Sequence, residues 1–501
     1  MKRLALSLAF SLLMAGSALA QTNLRVGLAE DPDVLDPTLA RTYVGRIVFA
    51  SLCDKLFDID ENLKIVPQLA LSHETSDDGK TVTIKLRPNV KFHDDEAFDA
   101  AAAKFSLDRH LTLQGSVRKP ELSALESVEV VDPLTIKLHL KTPFSPLLAQ
   151  LTDRAGMMMA PKATEAAGDK FGLHPVCAGP YKFVERVPQD RIIVEKFADY
   201  WDKDHVFIDK ITYQPIVDGT VRLANLRSGS LDLIERLQAT DIKTVRDNPK
   251  LKLSKAVSLG YVGLMENIGN GAKADTPFGK DPRVRQALEL SLDRDAINQA
   301  VFNGEFVPGN QWVSPQNFYY QQSFPIPKRD VAKAKALLQE AGVKGPATLD
   351  FLVPNGAENR AVAEVVQSMA AEAGFDLKIR VTEFTTSIKE AEDGNFQLYL
   401  FGWSGRADPD GNAFIIQTCK AGLNYGKYCD KEIDALHDEA RSKTDPAERK
   451  KVYEKITAKV LPQGDFLYLY HPQVLIAHSD RLEGYKPMPD GLVRVIGLKL
   501  K

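Results

Sequence analysis

Residues 349–403 read LDFLVPNGAENRAVAEVVQSMAAEAGFDLKIRVTEFTTSIKEAEDGNFQLYLFGW. Three short apolar runs alternate here with two segments of helical character, at 349–353, 360–373, 377–381, 388–392 and 396–403. Strands that alternate with helices form a mostly parallel sheet with helices on its faces. The stretch therefore predicts an α/β domain.

The last of these strands runs into a polar loop, Gly405 to Asn412, which carries Asp408. Ligand sites in α/β proteins gather at the carboxyl ends of strands, and a second loop, Pro354 to Asn359, leads toward the same crevice. The face of Trp403 beside a carboxylate suits a ligand with an apolar part and a positive charge. Residues 408–411, Asp-Pro-Asp-Gly, also match a plain type I turn, and the sequence leaves both interpretations open.

The pattern of predicted strands and helices is different before Tyr200. Two alternating segments, 82–86 and 136–140, predict antiparallel strands with one buried face, and a helix lies between them at 100–110. Farther along, Asp281 and Pro282 predict the start of a helix that runs to about Val301. The first part therefore reads as α+β and the second as regular α/β.

The N-terminus predicts export. Lys2 and Arg3 precede an apolar segment, and Ala18-Leu19-Ala20 forms a signal-peptidase site, so residues 1–20 are expected to be a signal peptide cleaved after Ala20. No cysteine follows the cleavage site, which argues against a lipoprotein. The expected location is the periplasm. A chain of 501 residues should form two or more lobes, because single cores stop growing at about 250–300 residues.

The charge balance excludes one class of partner. The chain has 64 basic and 67 acidic residues, and removal of Lys2 and Arg3 leaves 62 against 67, a net charge of −5. A nucleic-acid-binding protein would carry a basic surface. We therefore expect no nucleic-acid partner.

Four cysteines predict disulfides, because an even count in an oxidising compartment favours pairing. Cys419 and Cys429 enclose a short loop and form the expected first pair. Cys53 with Cys177 then follows by elimination, and the sequence leaves that pairing open.

Catalytic signatures are absent from the sequence. No G-x-S-x-G, H-E-x-x-H, phosphate-binding or dinucleotide-binding motif occurs, and His93-Asp94-Asp95-Glu96 reads as a solvated turn. We expect no catalytic residues, metal or cofactor, although paired carboxylates of a glycosidase leave no sequence signature.

Several segments together resemble the dipeptide/oligopeptide class (family 5) of extracellular solute-binding proteins of ABC transporters. They are spread over essentially the whole chain after the signal segment: 92–100 with 105–109, Ala178-Gly179-Pro180-Tyr181, Asp199-Tyr200-Trp201, and 281–297 with Val284-Arg285-Gln286-Ala287-Leu288. Each motif alone is unspecific, and their order and spacing carry the resemblance.

The resemblance implies a two-lobe periplasmic-binding-protein fold of type II, in the large three-subdomain class, with mixed sheets and a hinge. Subdomain I of the first lobe would comprise 21–55, 205–275 and 480–501. Subdomain II would comprise 56–204, and the second lobe 276–479. The connector Ile268–Lys280 and the chain near Ser479 would be the two crossings. The protein is expected to be a monomer that delivers its ligand to an inner-membrane permease.

The resemblance also implies roles for individual residues. Asp408 matches the position that pairs with the α-ammonium of a peptide, and Arg360 matches the arginine that holds a carboxylate in dipeptide binders. Arg406 is a rival partner for the carboxylate, Trp403 would pack near the main chain of the ligand, and Tyr43 is a candidate lining residue from the first lobe.

The chain departs from the family pattern where Gly411 precedes Asn412 and where Asp95 replaces a common glycine. The expected function is capture of a dipeptide or oligopeptide by lobe closure. Relatives also bind glutathione, opines, nickel chelates, haem and oligosaccharides, and these remain alternatives, with a secreted hydrolase or a chaperone-like protein as functions of another class.

Overall fold

The computed structural model describes residues 21–501, so the signal peptide expected at 1–20 lies outside the described residues. The strands β1–β21 are, in chain order, Asn23–Leu28, Phe57–Ile59, Ile65–Pro67, Ala70–Thr75, Thr81–Leu86, Leu125–Asp132, Thr135–Leu140, Tyr181–Val187, Arg191–Lys196, Lys210–Pro215, Leu233–Ile234, Leu251–Val257, Tyr261–Glu266, Val307–Pro308, Ala347–Pro354, Phe375–Thr382, Leu398–Trp403, Phe466–His471, Gln473–Ser479, Leu482–Glu483 and Lys499–Leu500.

The α-helices α1–α15 are, in the same order, Tyr43–Leu52, Ala100–Thr112, Leu147–Gln150, Pro161–Ala167, Gly219–Ser228, Ile242–Arg246, Pro277–Lys280, Pro282–Ser291, Arg294–Phe302, Val331–Glu340, Ala357–Ala373, Phe384–Glu392, Asp410–Gln417, Lys431–Ser442 and Pro446–Val460. None of the helices within residues 21–501 has the length and apolarity needed to cross a membrane.

Three sheets organise the chain. A seven-stranded sheet has the order β12-β19-β11-β1-β10-β9-β8, and a six-stranded sheet has the order β14-β18-β13-β17-β15-β16. A four-stranded antiparallel sheet, β4-β5-β7-β6, contains both alternating segments predicted from the sequence, with Val82 opposite Leu138. The expected mixed α/β architecture with several sheets is confirmed.

The six-stranded sheet contains the predicted βαβαβ unit. β15 pairs in parallel with β16 and with β17, as the alternation of strands and helices required. Along β17, Leu398 and Leu400 join one apolar core while Tyr399 and Phe401 join another on the opposite face. Burial on both faces explains why this strand reads as a continuous apolar run.

The helix predicted from Asp281 to Val301 is two helices. The side chain of Asp281 accepts a hydrogen bond from the Arg283 N–H and starts α8, as expected. Asp293 in turn accepts from the Ala296 N–H and starts α9. This second N-cap interrupts the helix, because an aspartate that binds the backbone two or three residues ahead favours a non-helical conformation at its own position.

From sheet membership we propose crossings between the lobes that lie earlier in the chain than the sequence indicated. The chain leaves the seven-stranded sheet after Val257, enters the six-stranded sheet at Tyr261, and returns through Pro472. The two crossings are adjacent, since the Ser258 N–H donates to the Pro472 carbonyl at 2.9 Å. Of the positions expected from the sequence, 268–280 follows β13, which pairs with β17 and β18, and Ser479 ends β19, which pairs with β12.

The boundary between the subdomains shifts as well. β8 and β9, which the sequence assigned to subdomain II, extend the seven-stranded sheet through β10. We therefore propose that the first lobe comprises residues 21–258 and 472–501, with subdomain II centred on the four-stranded sheet, and that the second lobe comprises residues 260–471.

Both expected disulfides are present, Cys53–Cys177 and Cys419–Cys429, and the described residues contain no free cysteine. They enclose very different loops, with sequence separations of 124 and 10 residues. In the chain-entropy model a longer loop gives a larger stabilisation, roughly 5 kcal/mol against roughly 3 kcal/mol here.

We therefore expect Cys53→Ala/Cys177→Ala to lower the free energy of unfolding by about 2 kcal/mol more than Cys419→Ala/Cys429→Ala does. Urea unfolding of the two double variants and the wild type provides the comparison. Equal losses in the two variants would contradict the expected dependence on loop length.

Candidate functional site between the lobes

The loop after β17 lies against the crossing between the lobes. Gly405 has a φ of +78° and packs so closely that a β-carbon there would come within 2.2 Å of the Leu259 carbonyl carbon. Only glycine fits such a backbone without displacement. This close contact holds the loop at Gly405 beside the segment that links the two lobes.

Asp408 forms the turn predicted from the sequence and also an ion pair. Its carbonyl accepts from the Gly411 N–H at 3.2 Å, and its Oδ1 accepts from the Asp410 N–H at 2.9 Å, just before α13 begins. The carboxylate also receives two hydrogen bonds from Arg449, at 2.6 and 2.7 Å. Arg449 is buried, so the carboxylate expected to meet a ligand already has a guanidinium partner in its own lobe.

Arg406 reaches across to the first lobe. Its Nε lies 3.0 Å from Oδ2 of Asp153, and the same oxygen lies 3.0 Å from Nη2 of Arg46. Arg46 also donates to the Ser404 hydroxyl at 3.3 Å. Burial alone would raise the pKa of Asp153, but Arg46, Arg406 and further arginines hold it well below its usual range.

Two more arginines and one more carboxylate complete a buried group that we call the arginine cluster: Arg46, Arg118, Arg154, Arg406, Asp153 and Glu121. Each of the six is at most 9% exposed. Four guanidinium groups face two carboxylates, which leaves an excess of two positive charges. Burial, together with Arg118, lowers the pKa of Arg154 well below its usual range.

The cluster retains unused hydrogen-bond donors. Arg118 and Arg154 both donate to the Ala40 carbonyl, at 3.3 and 2.7 Å. Within residues 21–501, neither Arg118 Nε nor Arg154 Nε has a hydrogen-bond partner. Because a buried, unpaired charge is costly, the cluster is suited to an additional anion.

Trp403 is held by its own loop. The indole N–H is shared between the Gly411 carbonyl and Oδ1 of Asn412, each at 3.1 Å. The guanidinium of Arg406 lies 4.6 Å from the centre of the indole ring. Trp403 therefore positions Arg406 beside the interface, and Gly411, the departure from the family pattern, contributes a hydrogen-bond acceptor.

Tyr43 and Arg46 lie one turn apart in α1, which places them on the same side of that helix. The Tyr43 hydroxyl donates to the Gly491 carbonyl at 2.6 Å. The guanidinium carbon of Arg236 lies 5.0 Å from the centre of the Tyr43 ring. Tyr43 therefore contacts Arg236 and lies one helical turn from Arg46 in the first lobe, and its role as a lining residue stays a prediction.

Arg360 lies apart from these residues. It is exposed in the first turn of α11 and lines an open cavity of about 370 Å³ with Asn355, Gly356, Ala357, Ala361 and Glu364. Its role as a carboxylate partner stays a prediction. Of the five residues predicted from the sequence, Trp403, Arg406 and Asp408 lie together at the end of β17. Tyr43 lies in α1 of the first lobe, and Arg360 lies apart from both.

Further contacts join the lobes away from the loop. Arg41 donates to Oε1 of Glu392 at 2.7 Å, beside a cavity of about 170 Å³ lined by residues of both lobes. The Ser145 N–H donates to the Arg441 carbonyl at 2.8 Å. The two lobes therefore lie closed on one another around the site.

Sequence reasoning missed Arg46 and Asp153, which bridge the lobes. One signal was available, since Arg46 is the single charged residue in the otherwise apolar helix α1. A buried charge in such a helix requires a partner. Asp153 and Arg154 carried no comparable signal, because they occur in a short polar connection.

Comparisons with known proteins identify the family of the chain. A profile described as the bacterial extracellular solute-binding proteins, family 5 (middle), matches residues 64–424. The glutathione-binding protein GsiB of Pectobacterium atrosepticum is 32% identical over 472 residues, covering 91% of this chain and 90% of the relative. GsiB of Salmonella paratyphi A is 31% identical, covering 97% and 96% of the two chains.

Solved structures give the same architecture. The periplasmic binding protein AgaA in complex with agropinic acid, from A. tumefaciens R10, superposes with a TM-score of 0.86 at 28% identity, covering 96% of this chain and 99% of AgaA. DppA of Helicobacter pylori in complex with the peptide STSA has a TM-score of 0.88 at 23% identity, covering 96% and 98%, and supports the fold alone. The chain belongs to the bacterial extracellular solute-binding proteins of family 5.

Proposed function

We propose that the protein is the periplasmic substrate-binding component of an ABC importer, and that it captures a small peptide or peptide-like solute bearing at least one carboxylate. Closure of the two lobes would trap the solute, and the closed form would deliver it to the inner-membrane permease. In this proposal the protein is exported after cleavage at Ala20, acts as a monomer and turns over no substrate.

The excess of two positive charges in the arginine cluster is the observation that carries the proposal. A ligand carboxylate placed there would supply missing negative charge and accept from Nε of Arg118 and of Arg154, which lack hydrogen-bond partners within residues 21–501. Arginine suits this role because its planar fork matches both carboxylate oxygens. Dipeptides, oligopeptides and glutathione all carry such a group, whereas a neutral oligosaccharide does not.

Calorimetry on the exported form tests this proposal. We expect stoichiometric binding of glutathione or of a dipeptide such as Ala-Ala, and at least about tenfold weaker binding when the C-terminal carboxylate of the same compound is amidated. Native mass spectrometry of protein purified without dialysis reports the mass of any copurifying solute. Equal affinity for the acid and the amide would reject the carboxylate requirement, and product formation in the same samples would favour a hydrolase.

The role of Asp408 as partner of a ligand ammonium remains a proposal as well. Arg449 and the Asp410 N–H already occupy three acceptor positions of its carboxylate, which leaves little capacity for a further donor. The carboxylates of Glu30 and Glu235 are alternative partners for a ligand ammonium.

A further inference from the structure

Arg236 is held in an unusual backbone conformation at the site. It follows the short strand β11 with a φ of +49°, a region that non-glycine residues rarely occupy and that occurs preferentially at functional sites. Its carbonyl accepts from Nη2 of Arg222 at 3.0 Å, which fixes the backbone. The side chain is nevertheless 47% exposed, and its guanidinium lies over the ring of Tyr43.

Two carboxylates flank this guanidinium without satisfying it. Nε of Arg236 lies 3.4 Å from Oε2 of Glu235, and Nη2 lies 3.5 Å from Oε1 of Glu30. Both separations are too long for strong hydrogen bonds, and no hydrogen bond from the Arg236 guanidinium is formed within residues 21–501. Its fork of N–H donors is therefore available.

Glu235 has unused capacity as well. Its side chain is 1% exposed, and Oε1 accepts from the Ala29 N–H at 2.5 Å. Oε2 has no hydrogen-bond partner among the described residues. A buried carboxylate oxygen without a donor is costly, so this atom is poised to accept from a cationic group. Arg222 is the other nearby cation, and its hydrogen bonds go to the carbonyls of residues 216, 217 and 236.

We propose that Arg236, Glu30 and Glu235 form a subsite for a free α-amino-acid head, in which Arg236 binds the α-carboxylate and the two glutamates bind the α-ammonium. The inference rests on the proposed function and names the ligand class more closely. An α-amino-acid head carries its ammonium and carboxylate on one carbon. A site that binds both groups therefore needs a cation and an anion close together. Arg236, Glu30 and Glu235 are arranged in this way.

The position of Tyr43 extends the inference to the rest of the ligand. Tyr43 contacts Arg236 and lies one helical turn from Arg46, so α1 connects this subsite to the arginine cluster. A ligand that spans both sites has an amino-acid head at one end and a second carboxylate at the other. A γ-linked glutamyl peptide has this arrangement, whereas an α-linked dipeptide carries its ammonium and its carboxylate at opposite ends.

Calorimetry with γ-glutamylglycine, its N-acetyl derivative and glycylglycine tests the subsite in the wild-type protein. We expect the N-acetyl derivative and glycylglycine each to bind about 30-fold more weakly than γ-glutamylglycine, or worse, because each lacks a group that the subsite would pair. Binding of glycylglycine as tight as that of γ-glutamylglycine would overturn the inference and leave the proposed function standing. Failure of all peptide probes, glutathione included, would overturn the proposed function itself.

Variants localise the effect. Arg236→Gln should weaken binding of γ-glutamylglycine by about 30-fold or more, while Arg227→Gln, an exposed arginine on α5, should match the wild type. Glu30→Gln provides a second test that does not alter a fully buried residue. Undiminished affinity in both Arg236→Gln and Glu30→Gln, with unfolding curves equal to that of the wild type, would exclude this subsite.

Discussion

Replacement of Asp153 by asparagine is expected to lower the free energy of unfolding by about 3–5 kcal/mol, because it removes one partner of a buried ion pair. Asp153 contacts Arg46 and Arg406 at 3.0 Å and accepts from the Arg154 N–H at 2.7 Å. Without its charge, four buried guanidinium groups would share a single carboxylate. Chemical denaturation of the ligand-free protein measures the loss.

Asp190→Asn is the matched control, since Asp190 lies at the surface and its ion pair with Arg191 is exposed to water. Exposed pairs contribute at most about 1 kcal/mol, so the control should differ little from the wild type. A similar small loss in both variants would show that the arginine cluster does not depend on Asp153. Because Arg406 belongs to the other lobe, small-angle scattering of Asp153→Asn should also report a more open particle.

Asp408→Ala is expected to destabilise the protein by a comparable amount, about 3–5 kcal/mol, since it leaves the buried guanidinium of Arg449 without its carboxylate. The double variant Asp408→Ala/Arg449→Met should recover most of the loss, because replacing both members of a buried pair by apolar groups is often neutral. Unfolding curves of the single and double variants measure this difference. A single variant as stable as the wild type would contradict the structural role of the pair.

The same double variant separates the two proposed sites for a ligand ammonium. Since Asp408 is engaged by Arg449 and by the Asp410 N–H, we expect the double variant to keep the affinity of the wild type for γ-glutamylglycine. A loss of about 30-fold or more in a variant that folds normally would assign the ammonium to Asp408 and away from Glu30 and Glu235.

In the proposed function, lobe closure connects the charges at the lobe interface with capture of the solute. A ligand shifts the protein toward the closed state only to the extent that it binds that state more tightly. Arg46 and Ser404, like Arg41 and Glu392, meet across the lobes, so the closed state already has attractive contacts. In the proposed function, the unsatisfied donors of Arg118 and Arg154 would supply the additional affinity that an anionic ligand realises on closure.

Local patterns predicted much of the architecture. The βαβαβ unit followed from apolar runs and helical segments between 349 and 403, and its parallel pairing is observed. The N-cap Asp281 was correctly assigned, and the turn at 408–411, one of two interpretations that the sequence left open, is observed. Both are readable because an N-cap or turn residue binds backbone groups only two or three residues away. The disulfide Cys419–Cys429 followed from a short loop for the same reason of proximity.

Longer-range assignments required the tertiary structure. Sequence placed the crossings at 268–280 and near 479, whereas strand pairing leads us to propose 258–260 and 472, because a strand's sheet depends on partners far along the chain. The split between α8 and α9 was missed for a different reason. Asp293 reads equally well as an exposed helical residue until its side chain is seen to cap a new helix.

The sequence by itself determined the fold class, the family and the loop at 403–412, since each is encoded in contiguous residues whose periodicity, turn chemistry or motif order can be read directly. Only the tertiary structure decided which charges meet: Asp408 with Arg449, Arg406 with Asp153, and Arg236 with Glu30 and Glu235. A charged residue has the same one-letter code whether it is solvated or buried. Its partner is selected by how the folded segments pack, and burial strengthens the pairs that Asp408 and Asp153 form.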